Sequence, residues 1–112
     1  MRIIAQRIAQ AIKQNKSIHI DNTEYNANSG EVRLHGHCIL YRVNDHFMID
    51  RHTVEQWPTN TTKSRINDIS RCMGARSLLY QKDFIFYYVS INYNQIPVSS
   101  FENDLFAFAV NQ

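Results

Sequence analysis

Hydrophobic positions recur with a helical period in the first part of the chain and with a period of two after it. In residues 2–15 the apolar side chains fall three or four positions apart, which predicts one buried stripe of an amphipathic helix. The stripe consists of Ile4, Ala5, Ile8, Ala11 and Ile12. Asn15 is a residue type that tolerates the left-handed backbone found just after many helices, so the helix is expected to end there.

From Ser17 onward the alternation of apolar and polar residues predicts β-strands. The predicted strands are Ser17–Asp21, Glu31–His35, Cys38–Val43 and His46–Asp50. Turn-forming residues separate them, at Asn22–Thr23, Asn26–Gly30 and Asn44–Asp45. Gly36 interrupts the alternation and predicts a bulge or a tight bend. Consecutive strands joined by short turns form an antiparallel meander.

A second helix is predicted from about Thr62 to Met73, with Thr61 or Thr62 as its N-cap and Gly74 as its end. Its buried side is expected to carry Ile66, Ile69 and Met73. Further strands are predicted at Ser77–Gln81, Asp83–Ile91 and Leu105–Val110, the second of them central because it is apolar on both faces. The predicted fold is therefore α+β: an N-terminal helix, an antiparallel sheet with meander topology, and a second helix packed on one face.

Composition limits the function classes. The 112 residues, 44% of them hydrophobic, fit a single domain over residues 1–112, and the formal net charge is only +2. Such a mild charge does not by itself indicate a nucleic-acid partner. Cys38 and Cys72 have no Cys-x-x-Cys spacing and are expected to be reduced thiols. No run approaches the ~20 apolar residues of a membrane span, so we expect a cytoplasmic protein without membrane contact.

The segment Trp57–Asn67 places basic residues where a helix begins. A helix N-terminus favours negative charge, yet Lys63 and Arg65 occupy this one. Together with helix N–H groups and threonine hydroxyls they predict an anion or partner site, phosphate being the natural ligand. The predicted set is Thr61, Thr62, Lys63, Arg65, Arg71 and Lys82, with Arg76 nearby if the fold allows it. The alternative is a surface helix whose basic side chains cover Trp57, with Arg65 paired to Asp68.

Aromatic residues suggest a second kind of surface, a stacking platform for single-stranded nucleic acid. The stacking candidates are Trp57, Tyr87 and Tyr88, with Tyr93 in the same run. Tyr87 and Tyr88 point to opposite faces of a strand, so only one of them can join a given surface. Phe84 and Phe86 are expected to pack in the core instead.

Catalytic and metal chemistry have weaker signals. His35 and His37, with His46 or His52 across a hairpin, are candidate metal ligands, but no carboxylate or cysteine completes a known spacing, so no metal or cofactor is predicted. His37 and Cys38 are adjacent on a strand and point apart, which argues against a nucleophile–base pair. The chain has no phosphate-binding glycine loop and no Gly-x-Ser-x-Gly motif. We therefore expect a protein that is not an enzyme.

Three segments in order resemble a family of small bacteriophage proteins. They are Leu34–Ile39, Trp57–Asn67 and Gln81–Phe84 with Tyr87, within a match covering roughly residues 17–90. The Thr-Thr-Lys-x-Arg-Ile-Asn part is fairly specific, and the flanking strands are less so. The chain departs from the family pattern at three positions. His37 stands where Asn is usual, Gln56 stands where Gly usually precedes the tryptophan, and Pro58 looks like an insertion.

This resemblance implies a phage or prophage origin and no transferable catalytic residue. It suggests a host-takeover or anti-defence protein, such as an anti-CRISPR inhibitor, that binds a host protein or ribonucleoprotein complex stoichiometrically in the host cytoplasm. The alternative is a direct nucleic-acid binder that uses the basic start of the second helix. A homodimer that uses the C-terminal β segment is a further alternative.

Overall fold

A computed structural model describes residues 2–76, 78–83, 85–89 and 95–110. Three α-helices are present in these ranges: α1 (Arg2–Gln14), α2 (Arg51–Gln56) and α3 (Asn60–Cys72). The strands of the larger sheet are β1 (Ile18–Ile20), β2 (Thr23–Asn26), β3 (Glu31–Leu34), β4 (His37–Val43), β5 (His46–Ile49) and β9 (Leu105–Ala109). The smaller sheet contains β6 (Leu79–Lys82), β7 (Ile85–Tyr88) and β8 (Ile96–Pro97), and a 3₁₀ turn covers Val98–Ser100.

The α+β class, the first helix and the meander are confirmed. Helix α1 buries Ala5, Ile8 and Ile12 completely or nearly so, and Asn15 follows it with φ of 54°. Strands β1 to β5 pair consecutively and antiparallel, and β9 pairs with β5, giving the order β1-β2-β3-β4-β5-β9. Helices α1 and α3 pack on each other, α1 against β2 and α3 against β4, so both cover one face of this sheet. Residues such as Tyr25 and Phe47 fill the layer between.

Most of the predicted turns are confirmed, but the strand between two of them was not predicted. Asn22 and residues 27–30 form turns as predicted, whereas Thr23 and Asn26 belong to strand β2, because Thr23 and Tyr25 point into the core and supply the alternation that a strand needs. Gly36 is the tight bend of the two alternatives, with φ of 82° after His35 at 53°. The register shift lies elsewhere, between Val32 and Arg33. The turn at Asn44, with φ of 57°, is as predicted.

The helices after β5 also differ from prediction. Helix α2 was not predicted; Asp50 caps it by accepting a hydrogen bond from the Thr53 N–H at 3.2 Å, and only Val54 of its six residues is buried. Helix α3 begins two residues earlier than predicted because Thr59 is its N-cap. It ends before Gly74, whose φ is 89°.

The strand predicted at Asp83–Ile91 is shorter than expected in the described residues. Asp83 has φ of 53°, which ends β6 in a hairpin turn, and β7 covers only Ile85–Tyr88. Strand β7 is nevertheless central in its small sheet, between β6 and β8. Phe84, Ile91 and Tyr93 lie outside the described residues. Among the helices of the described part of the chain, none combines the length and apolarity needed to span a bilayer.

Candidate functional site

The start of α3 is organised by two threonines. The Thr59 hydroxyl accepts the Thr62 N–H at 3.1 Å, and the two hydroxyl oxygens lie 3.1 Å apart. Thr62 is only 4% exposed, whereas Thr61 is exposed. Neither predicted cap residue is the cap, because Thr59 occupies that position with an extended backbone.

Arg65 lies inside the protein rather than on its surface. It is 8% exposed, and its Nη1 donates to the Asn22 Oδ1 at 2.9 Å and to the Thr23 hydroxyl. Burial lowers the pKa of the Arg65 guanidinium, while the negative charges of Asp21 and Asp68 act in the opposite direction. The idea of a solvent-facing pair of cations at the start of α3 is therefore wrong for Arg65, which ties the helix to the β1–β2 turn.

The helical period carried a signal for this burial. Thr62, Arg65, Ile66 and Ile69 are spaced three, four and seven apart, so Arg65 falls on the stripe that faces the core. A charged side chain is usually found on the surface, because burial removes its hydration. Here two oxygen acceptors from the β1–β2 turn replace part of that hydration and reduce the cost of burying Arg65.

The remaining predicted cations lie on α3 and on β6. Lys63 is half-buried, and Lys82 is exposed on β6. The Arg71 guanidinium forms an ion pair with Asp68 at 2.6 Å, so the predicted Arg65–Asp68 pair is replaced by this one. An open cleft of about 500 Å³ between the start of α3 and the β6–β7 turn is lined by Pro58, Asn60, Gln81 and Asp83. None of the predicted cations lines that cleft.

Asn67 has a role that sequence reasoning missed. Its Oδ1 accepts the N–H groups of Leu78 and Leu79, both at 2.9 Å, and its Nδ2 donates to the Leu79 carbonyl at 2.9 Å. The side chain thus takes the place of a neighbouring strand for the chain segment that enters β6. The conspicuous Thr-Thr-Lys-x-Arg-Ile-Asn segment accordingly holds the β1–β2 turn through Arg65 and β6 through Asn67.

An apolar pocket of about 250 Å³ opens beside the start of α3. We call it the His37–Trp57 pocket; its lining residues are Leu34, His35, His37, Ile39, Thr53, Trp57, Thr59 and Thr62. Buried Leu34 and Ile39 supply aliphatic surface. The His37 and Trp57 rings lie 4.7 Å apart at 30°, and Trp57 remains 44% exposed. The indole therefore packs against the His37 ring.

The three stacking candidates occupy different places. Trp57 lines the pocket, whereas Tyr87 lies half-buried on the small sheet with its ring 6.3 Å from that of Tyr80. Tyr88 is buried and donates its hydroxyl to the Phe106 carbonyl at 2.6 Å. No common aromatic platform joins these three residues.

The cysteines and histidines of the described ranges do not form a metal site. No three histidine, cysteine or acidic side chains there are close enough to hold a metal ion together. Burial raises the pKa of the Cys38 thiol to about 12, with the nearby charge of Glu31 adding to the effect. Cys38 donates a hydrogen bond to the Leu40 carbonyl at 3.4 Å and is a poor nucleophile at neutral pH.

Two of the three segments that resemble phage proteins, Leu34–Ile39 and Trp57–Asn67, meet at the His37–Trp57 pocket. A family model described as "Kyanoviridae Gp96 protein" matches residues 1–107. The chain belongs to this family. The resemblance to small bacteriophage proteins is thereby confirmed at the level of the family. No curated protein and no solved structure matches the Gp96-family chain significantly.

Proposed function

We propose that this Gp96-family phage protein is a non-enzymatic binding protein that inhibits a host protein or ribonucleoprotein complex by stoichiometric contact. An anti-defence role, such as inhibition of a CRISPR effector in the host cytoplasm, is one form of that activity. The observation that supports the proposal is the His37–Trp57 pocket, which we infer receives one apolar side chain of the partner.

The size of the pocket favours a single side chain over a cofactor. Small-molecule sites typically enclose ~300–1,000 Å³, and this pocket encloses about 250 Å³. Protein interfaces commonly concentrate their energy in one aromatic or aliphatic anchor seated in such a pocket. An aromatic side chain that buries ~150–250 Å² contributes about 4–6 kcal/mol before the costs of association are subtracted.

The lining also favours a protein partner. Its walls are aliphatic and aromatic, and the hydroxyl of the buried Thr62 already hydrogen-bonds that of the exposed Thr59. An apolar anchor would therefore cover the pocket without leaving these hydroxyl groups unpaired. Trp57, with 44% exposure, is the residue type most enriched among energetic anchors of interfaces.

A test compares two exposed aromatic residues. Tagged wild-type protein, Trp57→Ala and Tyr80→Ala are used to capture host proteins from lysate; Tyr80 is a matched control because it is 43% exposed. Thermal melts first establish that each variant is folded. We expect Trp57→Ala to weaken binding of the captured protein by roughly 30-fold or more, as for an anchor worth 2 kcal/mol, and Tyr80→Ala to leave it intact. Equal capture by wild type and Trp57→Ala contradicts the proposal.

Direct nucleic-acid binding is the second candidate, and one arrangement on the small sheet supports it. Tyr80 and Lys82 share a face of β6, and Tyr87 lies opposite Tyr80 on β7. An aromatic pair with one exposed ring beside a cation is a common element of single-strand binding. In this case Tyr80→Ala rather than Trp57→Ala abolishes capture, nuclease treatment removes the captured material, and affinity falls steeply with salt.

A further inference from the structure

The outer edge of β1 lacks a strand partner in the described part of the chain. Strand β1 is the first in the sheet order and pairs only with β2. Asp21, with φ of 55°, and Asn22 form a two-residue turn, whose flanking pair Ile20–Thr23 is hydrogen-bonded in such hairpins. Because antiparallel pairs alternate, the N–H and C=O groups of His19 then point away from β2.

Two grooves flank this edge. One runs between α1 and β1, encloses about 280 Å³ and is lined by Arg7, Gln10, Ala11, Gln14, Lys16, Ser17 and Ile18. The other, of about 270 Å³, is lined by residues of β1 and β2 and of their ends, His19 and Glu24 among them. An added strand would present every second side chain to the α1–β1 groove, because successive side chains point to opposite faces.

The α1–β1 groove is positively charged. Arg7 and Lys16 are its only charged residues, and in the described ranges neither forms an ion pair. Arg7, Gln10 and Gln14 follow the helical spacing of one α1 face, so their polar groups line the length of β1. This charge favours acidic side chains at every second position of an added strand.

We propose that the β1 edge binds an extended acidic peptide segment of a partner protein as a seventh strand of the sheet. The main-chain groups of His19 supply hydrogen bonds, and Arg7 and Lys16 select acidic side chains. This mode of recognition combines backbone pairing for affinity with alternate side-chain contacts for specificity. The surface is distinct from the His37–Trp57 pocket, whose lining comes from β3, β4, α2 and the start of α3.

The test is selection of peptides from a displayed library of random 16-residue sequences on the wild-type protein. We expect the selected peptides to be enriched in Asp and Glu at alternate positions. Their affinity should fall about tenfold or more in Arg7→Glu/Lys16→Glu, since each reversal changes a favourable charge contact into a repulsive one. His19→Pro, which removes an outward N–H without touching the β1–β2 bonds, should weaken them as well.

Trp57→Ala is the control for the site, and it should bind the selected peptides as the wild type does. Melting curves identify any variant that is unfolded, and Lys13→Glu, a reversal of a cation on the same helix that does not line the groove, controls for overall charge. A pool without acidic enrichment, or peptides insensitive to both the charge reversal and His19→Pro, overturns the proposal. If a single-stranded oligonucleotide binds the protein, and its binding requires Arg7 and Lys16 but not the His19 N–H, the proposal is overturned and the groove is a nucleic-acid site.

Discussion

Replacement of Asn67 by alanine should destabilise the protein strongly, although Asn67 touches no predicted binding surface. The side chain is 6% exposed and makes three hydrogen bonds of 2.9 Å to the backbone of Leu78 and Leu79. Alanine leaves two N–H groups and one carbonyl without these partners. At about 1 kcal/mol each, the loss is about 3 kcal/mol, a large part of the ~5–15 kcal/mol that stabilises a typical domain.

The assay is thermal or urea unfolding of Asn67→Ala beside the wild type. For a chain of 112 residues, a loss of that size lowers the melting temperature by roughly 12 °C. Ser64→Ala, an exposed change on the same helix, should stay within about 0.5 kcal/mol. Hydrogen exchange at the Leu78 and Leu79 amides should accelerate in Asn67→Ala alone. A melting temperature within about 3 °C of the wild type, with unchanged exchange, would refute the assignment of Asn67 as the group that holds this segment.

Three further outcomes are expected. Gly30→Ala should lower the unfolding temperature, because φ is +76° there and an added Cβ would lie 2.9 Å from that of Arg42. Arg65→Ala should cost about 2–4 kcal/mol in urea unfolding through lost charged hydrogen bonds and a cavity, whereas Lys63→Ala should change stability by less than about 0.5 kcal/mol; equal effects would contradict the internal role of Arg65. Cys38 should resist alkylation at neutral pH. Folding raises the pKa of its thiol to about 12. The protonated thiol of Cys38 therefore contributes its full share of the folding free energy below about pH 9, and this share is lost as the pH rises toward 12.

The parts of the fold that depend on local periodicity could be predicted. The stripe of α1, its end at Asn15 and the turn at Asn44 all follow from residues close in sequence. Helix α2 could not be predicted in the same way, because a six-residue helix with one buried side chain has no repeating pattern. Its N-cap, Asp50, was instead read as the end of a strand.

The roles of the conspicuous basic segment depended on contacts distant in sequence. The partners of Arg65 lie 42 and 43 residues away, and those of Asn67 lie 11 and 12 residues away. No local rule indicates that a charged side chain will find two acceptors inside the core. The His37–Trp57 pocket likewise combines a β-turn, the α2–α3 junction and a helix cap. Because these segments are distant in sequence, local patterns did not predict that their side chains lie together.

The pairing of β9 with β5 has a consequence for how the chain reaches its native state. Residues 50–104 intervene between the two strands, and a ribosome adds that many residues in roughly 3–11 s. Hairpin formation takes only microseconds, so β4 and β5 can pair early. During this interval the edge of β5 that later pairs with β9 has no strand partner. Distant pairings of this kind slow the search for the native topology. Until β9 pairs, the half-built sheet therefore presents an unpaired strand edge that can associate with another chain.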